Sequence, residues 1–274
     1  MQKEYCIDEV IQKLTSIIND SKHKGSRVGY FAALYRQVTI TVKQRIDEGK
    51  YFDDNKRMER FDVIFANRYL TAIEQLSNGS RPTASWDYAF NASEEWWPIV
   101  LQHLLFGINA HIGLDLGIAA VQTAGPENLP AMSEDFSRIN DLLADLVRSI
   151  REKLAIIWPP LGFFNSYLGD VQTGFINFSM VRARNSAWDF AKELASKDEN
   201  EQLQAILRRD AEVVQISQTI RHPNFLLELV TKSIRVGERG TTSEIIETLE
   251  REAAIWSARL EKGELIQVLP GRLI

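Results

Sequence analysis

Two histidines and an aspartate lie on one helical stripe in the most apolar long stretch of the chain. His103, His111 and Asp115 are separated mostly by leucine, isoleucine, phenylalanine and glycine. At about 100° per residue, their spacing places all three on one slowly drifting face of a helix. A helix that is apolar nearly all round is normally buried, so these polar side chains must find partners inside the protein. The pattern predicts an internal polar site.

The His111 and Asp115 pair has the clearest chemistry. Residues four apart on a helix have Cβ atoms about 5–6 Å apart, so an imidazole and a carboxylate can reach one cation. Another element must supply the third ligand, and Asp62 is the candidate, as ligand or as general base. This donor set suits one divalent ion: zinc, manganese or magnesium. The alternative is a buried hydrogen-bonded pair in which the carboxylate orients the ring.

His103 and three glycines of the same stretch have other expected roles. His103 lies about 12 Å from His111 along the helix axis, too far to share its ion easily, so it contacts a substrate or holds a neighbouring helix. Gly107, Gly113 and Gly117 each cost up to about 1 kcal/mol relative to alanine in a helix interior. That cost predicts close approach of another helix or of a ligand.

Helical periodicity runs along most of the chain. It predicts helices at about 6–20, 30–46, 56–76, 95–121, 133–157, 175–195, 200–220, 223–234 and 243–260. Residues 80–93 are predicted as a structured loop, with Ser93 or Asn91 capping the central helix and Pro98 in its first turn. The fold prediction is all-α: a single multi-helix globular domain of about eight to ten helices around a buried central helix. The domain covers residues 1–274, and a looser C-terminal helical subdomain at 160–274 is the alternative.

Charge and cysteine content narrow the function classes. The net charge is −5, whereas nucleic-acid binding through phosphate neutralisation needs a basic face. Cys6 is the only cysteine, so no internal disulfide or thiolate metal cluster can form. The N-terminus has no basic-then-apolar signal pattern, and the polar residues of the central stretch are costly in lipid. We expect a cytoplasmic protein without a membrane span or a nucleic-acid partner.

Three short segments carry a family resemblance. They are GYFAALYRQVT at 29–39, FANRYL at 65–70 and NAHIGLDLG at 109–117. Together they resemble a largely bacterial family known as domain of unknown function 5995, over roughly residues 25–200. The resemblance implies no activity, but it places these residues within family motifs: Tyr30, Asp62, Asn67, Arg68, His103, Asn109, His111 and Asp115.

The His-x-x-x-Asp pair is also similar, more weakly, to that of zinc-dependent phospholipase C and related nucleases, which are all-helical. Their three-zinc sites need several more histidines than the four in this chain. One bound ion is therefore the most that this likeness supports.

Two functions fit these residues. In the first, the protein is a metal-dependent hydrolase of a phosphoester-type substrate. Its predicted metal ligands are His111, Asp115 and Asp62; its catalytic residues are Asp62, His103 and Arg68; and its substrate-binding residues are Tyr30, Asn67, Asn109 and Trp86. In the second, a metal-free helical protein uses its His, Asp, Asn and Arg network structurally or to line a small-molecule pocket. The candidate walls of that pocket are Trp86, Trp96, Trp97 and Tyr30.

The partner of Asp115 separates these hypotheses. An ion pair between Arg68 and Asp115 would neutralise the network and weaken the metal hypothesis. In either case the expected partner is a small-molecule ligand or substrate. A homodimer through the amphipathic helix at 243–260, with Ile245 and Leu249 in line, is a further expectation, although packing onto the parent domain is the favoured use of that face.

Overall fold

The computed structural model of the chain describes residues 6–139, 142, 157 and 180–250. The helices in these ranges are α1 (Ile7–Lys24), α2 (Val28–Glu48), α3 (Asn55–Ser77), α4 (Ala84–Glu94), α5 (Val100–Ala110), α6 (Leu116–Ala124), α7 (Met180–Ala195), α8 (Glu199–Arg221) and α9 (Phe225–Gly237). A π-helical turn, His111–Asp115, joins α5 to α6, and a 3-10 turn, Leu129–Met132, follows. Residues 133–139 and 242–250 are also helical, and no strand occurs within the described ranges. The predicted all-α class, with one multi-helix domain around a buried central helix, is confirmed.

The central helix runs without a break from Val100 to Ala124 through α5, the π turn and α6. It is the one helix in the described ranges that is long and apolar enough to cross a membrane, but 94% of its most apolar window is buried inside the protein. Helices α2, α3, α4, α7 and α8 pack around it. Such burial is typical of the core helix of a globular fold.

Glycines let two neighbouring helices approach the central helix closely. A Cβ at Gly107 would lie 2.5 Å from the Phe31 ring on α2, and a Cβ at Gly117 would lie 2.7 Å from the Ala187 carbonyl on α7. Both separations are shorter than any ordinary contact, so a larger residue would push the helices apart. The prediction that helix packing offsets the cost of these glycines is confirmed.

The predicted loop at 80–93 is wrong, because most of it forms α4. Trp86 and Phe90, four residues apart, bury one face of this helix in the core. Its first turn finds a hydrogen-bond acceptor on another helix: Asp210 of α8 accepts from the Ala84 and Ser85 N–H groups at 2.6 and 2.9 Å. A cap from so far along the chain leaves no local signal in the sequence.

Long-range carboxylate caps recur at two other helix N-termini. Asp135, from the helical residues 133–139, accepts from the Asp53 and Asp54 N–H groups ahead of α3 at 2.7 and 3.2 Å. Glu238, just after α9, accepts from the Val100 N–H at the start of the central helix at 2.8 Å. Asp135 thus satisfies two N–H groups just before α3, and Glu238 satisfies an N–H group that has no acceptor within its own helix.

The central helix therefore begins later than the sequence predicted. It starts at Val100 rather than near 95, and Pro98 lies before it instead of in its first turn. The Ser93 hydroxyl donates to the Phe90 carbonyl within α4 and caps nothing in α5. The helix can start at Val100 because Glu238 accepts a hydrogen bond from the Val100 N–H.

The described part of the last predicted helix packs onto the domain. Ile245, Ile246 and Leu249 are buried, and Ile246 sits against Gly29 of α2. This agrees with the favoured use of that face, while the homodimer and the looser subdomain stay predictions. The predictions for residues 140–141, 143–156, 158–179 and 251–274 lie outside the described residues.

Candidate functional site

A π-helical turn carries the two residues at the centre of the site. The Leu116 N–H donates to the His111 carbonyl five residues back, so the turn runs from His111 to Asp115. Single π turns inside α-helices are rare and concentrate at functional sites. No residue pattern indicates this turn, and the sequence predicts ordinary α-helix for the whole stretch.

Asp115 is the hub of a hydrogen-bonded network. Arg68 Nε of α3 donates to its Oδ1 at 2.6 Å, and Trp86 Nε1 of α4 donates to its Oδ2 at 2.8 Å. His111 Nδ1 lies 3.2 Å from the same Oδ2. Both oxygens of a fully buried carboxylate thus have donors, from two neighbouring helices and from its own.

The network fixes the charges of its members. Burial alone would raise the pKa of Asp115, but the Arg68 charge and the hydrogen bonds from His111 and Trp86 hold that pKa below its usual value. Burial lowers the pKa of His111, and Asp115 only partly opposes that shift. His111 is therefore a neutral imidazole whose Nδ1–H donates to Asp115 and whose Nε2 carries a lone pair.

Aromatic rings enclose His111. Its ring stacks on Phe65 with a centroid separation of 3.6 Å and an interplanar angle of 7°, and Tyr35 meets it edge-on at 4.5 Å. Three more rings lie with centroids at 5.8 to 6.2 Å: Phe31, Trp86 and Tyr69. The imidazole is thus held in one orientation by packing as well as by Asp115.

Four buried polar atoms of this region have no hydrogen-bond partner among the residues that the structure describes: His111 Nε2, Tyr35 Oη, Tyr69 Oη and Asp62 Oδ2. The Tyr35 and Tyr69 rings contact each other at 5.9 Å. After burial itself, the charges of Asp62 and Asp115 are the main causes that raise the pKa of Tyr35. The four groups thus belong to one neighbourhood formed by α2, α3 and the π turn.

Asp62 differs from Asp115 in charge. Burial, with a smaller contribution from the Glu59 charge, raises the pKa of Asp62 to about 8. At neutral pH its carboxyl group is protonated and can donate a hydrogen bond. Burial also raises the pKa of Tyr69, so its hydroxyl keeps its proton.

The predicted metal ligands do not come together. Within the described ranges, no three His, Cys, Asp or Glu side chains are grouped so that they could hold a metal ion. Both oxygens of Asp115 already accept hydrogen bonds from Arg68, Trp86 and His111, and Asp62 is close enough to Tyr35 for its charge to act on that hydroxyl. Arg68 thus forms the ion pair with Asp115 that was expected to separate the two hypotheses. This pair favours the metal-free hypothesis.

His103 forms a second, separate region with Tyr30. Their ring centroids lie 5.9 Å apart, and neither imidazole nitrogen has a hydrogen-bond partner of good geometry. Burial, reinforced by the charges of Arg27 and Arg235, lowers the pKa of His103 to about 3. His103 is therefore neutral, and it packs near the start of the central helix rather than beside His111.

The two predicted asparagines make contacts that hold helices. Asn109 Nδ2 donates to the Val213 carbonyl at 2.7 Å and to Ser217 Oγ at 2.9 Å, which ties α5 to α8. Asn67 Nδ2 donates to the Val63 carbonyl of its own helix at 2.9 Å.

Trp96 and Trp97 are not walls of the internal site. Half of each side chain is exposed, and the Arg235 guanidinium lies over the Trp96 ring at 4.7 Å. Of the four predicted wall residues, Trp86 alone contacts His111 and Asp115.

Among the rings that enclose His111, sequence reasoning found Trp86 but missed Phe31, Tyr35 and Phe65. Phe31 and Tyr35 lie four apart on α2, within the first of the three resembling segments, and Phe65 opens the second. The i, i+4 spacing of Phe31 and Tyr35 was the available signal. It indicates a shared face but not what that face meets.

The three segments and the chain around them match a known family. The family of unknown function DUF5995 matches residues 7–223. The chain belongs to this family. The match covers the His111 site entirely and ends just before α9, so Glu238 lies outside the region matched by DUF5995. Searches of curated proteins and of solved structures each found no match.

Proposed function

We propose that this DUF5995 protein binds a small, uncharged, partly aromatic molecule beside His111. The observation that carries the proposal is the group of four buried polar atoms without partners, set around a π turn. A buried polar group left unpaired costs about 1–3 kcal/mol. Four of them in one neighbourhood would destabilise a purely structural core by several kcal/mol at that rate, about 1–3 kcal/mol each. A ligand that hydrogen-bonds to these groups would offset this loss of stability.

The charges favour a neutral ligand. Arg68 and Asp115 neutralise each other, and His111, Asp62 and the two tyrosines are uncharged near pH 7. A charged ligand would therefore enter a buried region without a counter-ion, which is strongly unfavourable. The enclosing rings of Phe31, Phe65 and Trp86 favour an aromatic or other flat apolar body.

The hydrogen-bonding pattern narrows the ligand further. His111 Nε2 accepts a hydrogen bond, whereas Asp62 and the tyrosine hydroxyls can donate one. A fitting ligand thus carries a carbonyl-type acceptor for these donors and a hydrogen that can face His111 Nε2, as primary amides do. Because His111, Asp62 and the two tyrosines are all buried, entry needs a local opening of the helices, and we expect slow association.

The metal-dependent hydrolase remains a prediction from sequence, because no contact among the described residues favours it. One divalent ion at His111 would need ligands other than Asp115, whose two oxygens already accept hydrogen bonds from Arg68, Trp86 and His111. The donor set therefore fits a metal poorly.

The test uses benzamide and benzoate as matched probes. Ligand-observed NMR and calorimetry should show binding of benzamide, with benzoate at least ~10-fold weaker because it brings an uncompensated charge. A Tyr35→Phe/Tyr69→Phe variant should bind benzamide more weakly yet unfold at a higher temperature, since it loses two unpaired hydroxyls. Tyr88→Phe, a tyrosine of α4 outside the site, is the matched control and should leave binding unchanged.

Three outcomes would overturn this proposal. The first is the absence of benzamide binding up to its solubility, and the second is equal binding by the double phenylalanine variant. The third is stoichiometric metal in protein purified without chelator and analysed by elemental mass spectrometry, if a folded His111→Ala variant loses that metal. The third result would put the hydrolase in place of the ligand pocket.

A further inference from the structure

We propose that the His111 site is catalytic, with His111 Nε2 as a general base that moves a proton at the carbon next to a carbonyl group, while Tyr35, Tyr69 and Asp62 donate hydrogen bonds to the carbonyl oxygen. The inference rests on the proposed binding function and names its substrate class. That class is uncharged carbonyl compounds with a removable α-proton and an aromatic or flat apolar body.

The base is positioned as general-base catalysis requires. Asp115 accepts from His111 Nδ1, which leaves the lone pair on Nε2, and the ring is clamped in place by stacking on Phe65 at 3.6 Å. Arg68 and Trp86 in turn hold Asp115. A carboxylate that orients an imidazole in this way is the supporting half of a nucleophile–base arrangement. Asp115 is thus a positioning residue.

The three donors can stabilise the negative charge that develops on the substrate during proton removal. Removal of an α-proton puts negative charge on the carbonyl oxygen, and preorganised donors in a buried site stabilise that charge. Tyr35 Oη, Tyr69 Oη and Asp62 Oδ2 are buried and unpaired, so they are not already committed to protein acceptors. Neutral hydroxyl and carboxyl donors next to a base form a set that suits enolate chemistry.

The proton transfer needs no other reactant. His111 Nε2 takes the α-proton, the C–H electron pair forms a carbon–carbon double bond, and the carbonyl π pair moves onto oxygen. The imidazolium then returns the proton to the same carbon or to the carbon at the far end of a conjugated system. The net result is an exchanged proton or an isomerised double bond, with atoms and electrons balanced.

The experiment measures hydrogen–deuterium exchange at the methyl group of acetophenone in D₂O by NMR, with binding followed in the same samples. Wild-type protein should accelerate exchange, and His111→Gln should lower the protein-dependent rate by about 100-fold or more, as expected for loss of a general base. His222→Gln, an exposed histidine at the end of α8, is the matched control and should exchange at the wild-type rate.

A second variant keeps the test decisive if His111→Gln fails to fold. Tyr35→Phe/Tyr69→Phe preserves both rings and removes only the hydroxyls. It should lower the exchange rate at saturating acetophenone by more than it weakens binding, because the donors act mainly on the charged intermediate. A purely structural role would leave the saturating rate unchanged.

The outcomes separate the two proposals. Acetophenone that binds without faster exchange overturns the catalytic inference and leaves the binding function intact. Exchange that persists in folded His111→Gln also overturns the assignment of the base. Failure of acetophenone to bind, where benzamide binds, overturns the carbonyl substrate class alone, whereas failure of both probes removes the binding function as well.

Discussion

Two buried carboxylates of this protein have opposite environments. The Asp115 region supplies three donors, one of which is the Arg68 counter-ion, so the group stays ionised with its pKa below the usual value. The Asp62 region leaves Oδ2 without a donor and raises the pKa to about 8. Both side chains are almost fully buried, so depth does not explain the difference. The partner that meets each carboxylate decides its charge.

The largest effect is expected from removal of the counter-ion of Asp115. Arg68→Leu leaves a buried carboxylate without its cation, and such a change typically costs about 3–5 kcal/mol. Equilibrium unfolding in urea at pH 7 measures the loss. The double variant Arg68→Met/Asp115→Asn should recover much of it, since no unpaired charge remains. A loss below about 1 kcal/mol in Arg68→Leu would show that the ion pair does not hold Asp115.

Asp62→Asn should act in the opposite direction. The folded state keeps Asp62 protonated up to about pH 8, whereas the unfolded chain ionises it near pH 4. Through Asp62, the free energy of unfolding of the wild type therefore falls by about 1.4 kcal/mol for each pH unit as the pH rises from about 4 to about 8. At pH 7 the variant should gain on the order of 2 kcal/mol, because burial of the amide offsets part of the benefit.

The prediction for Asp62 is tested by the slope of the free energy of unfolding against pH rather than by its value at one pH. Free energies of unfolding measured from pH 4.5 to 7.5 should decline in the wild type more steeply than in Asp62→Asn. Parallel profiles would mean that Asp62 is ionised in the folded protein and that the contrast with Asp115 does not exist.

Trp86→Phe tests how far the Asp115 region depends on its neutral donor. The change removes the indole N–H that donates to Oδ2 at 2.8 Å but keeps an aromatic ring in the core. We expect a loss of about 1–2 kcal/mol, smaller than for Arg68→Leu because the counter-ion stays. Thermal unfolding detects it, and Trp97→Phe at the half-exposed surface is the matched control.

The smallest effect is expected for an ion pair of the same residue types at the surface. Arg81 and Asp87 lie 3.5 Å apart, and the Arg81 side chain is 83% exposed. Arg81→Ala should change the free energy of unfolding by less than about 0.5 kcal/mol, because water and salt screen the pair. If Arg81→Ala lowered the free energy of unfolding as much as Arg68→Leu does, burial would not be the reason that the Arg68–Asp115 pair stabilises the protein.

The fold was predictable where helices carry their own signals. Asp54 caps α3 through the Arg57 N–H, and Gly25 ends α1 in a left-handed conformation. Both are local features of the sequence. The start of α4 and of the central helix could not be read in the same way, because Asp210 and Glu238 supply the acceptors from far along the chain.

The site was predictable in its members more than in its arrangement. His111 and Asp115 were recognised from their spacing, and Arg68 from its motif. Their spacing suits a metal pair and a hydrogen-bonded pair equally, and the choice depends on which helix brings a cation to Asp115. The π turn was not predictable, since no residue type marks it, and Tyr35 looked like any amphipathic core residue.

The long-range caps of α4 and the central helix have a consequence for how the chain folds. Their acceptors lie 126 and 138 residues away from the amides that they meet, so these helix ends gain their hydrogen bonds only after distant segments have docked. Secondary and tertiary structure should then appear together in a refolding experiment, and slowly, since contacts between distant segments are costly to close. A fragment limited to residues 7–223 would also lack Glu238, so the first turn of its central helix would fray.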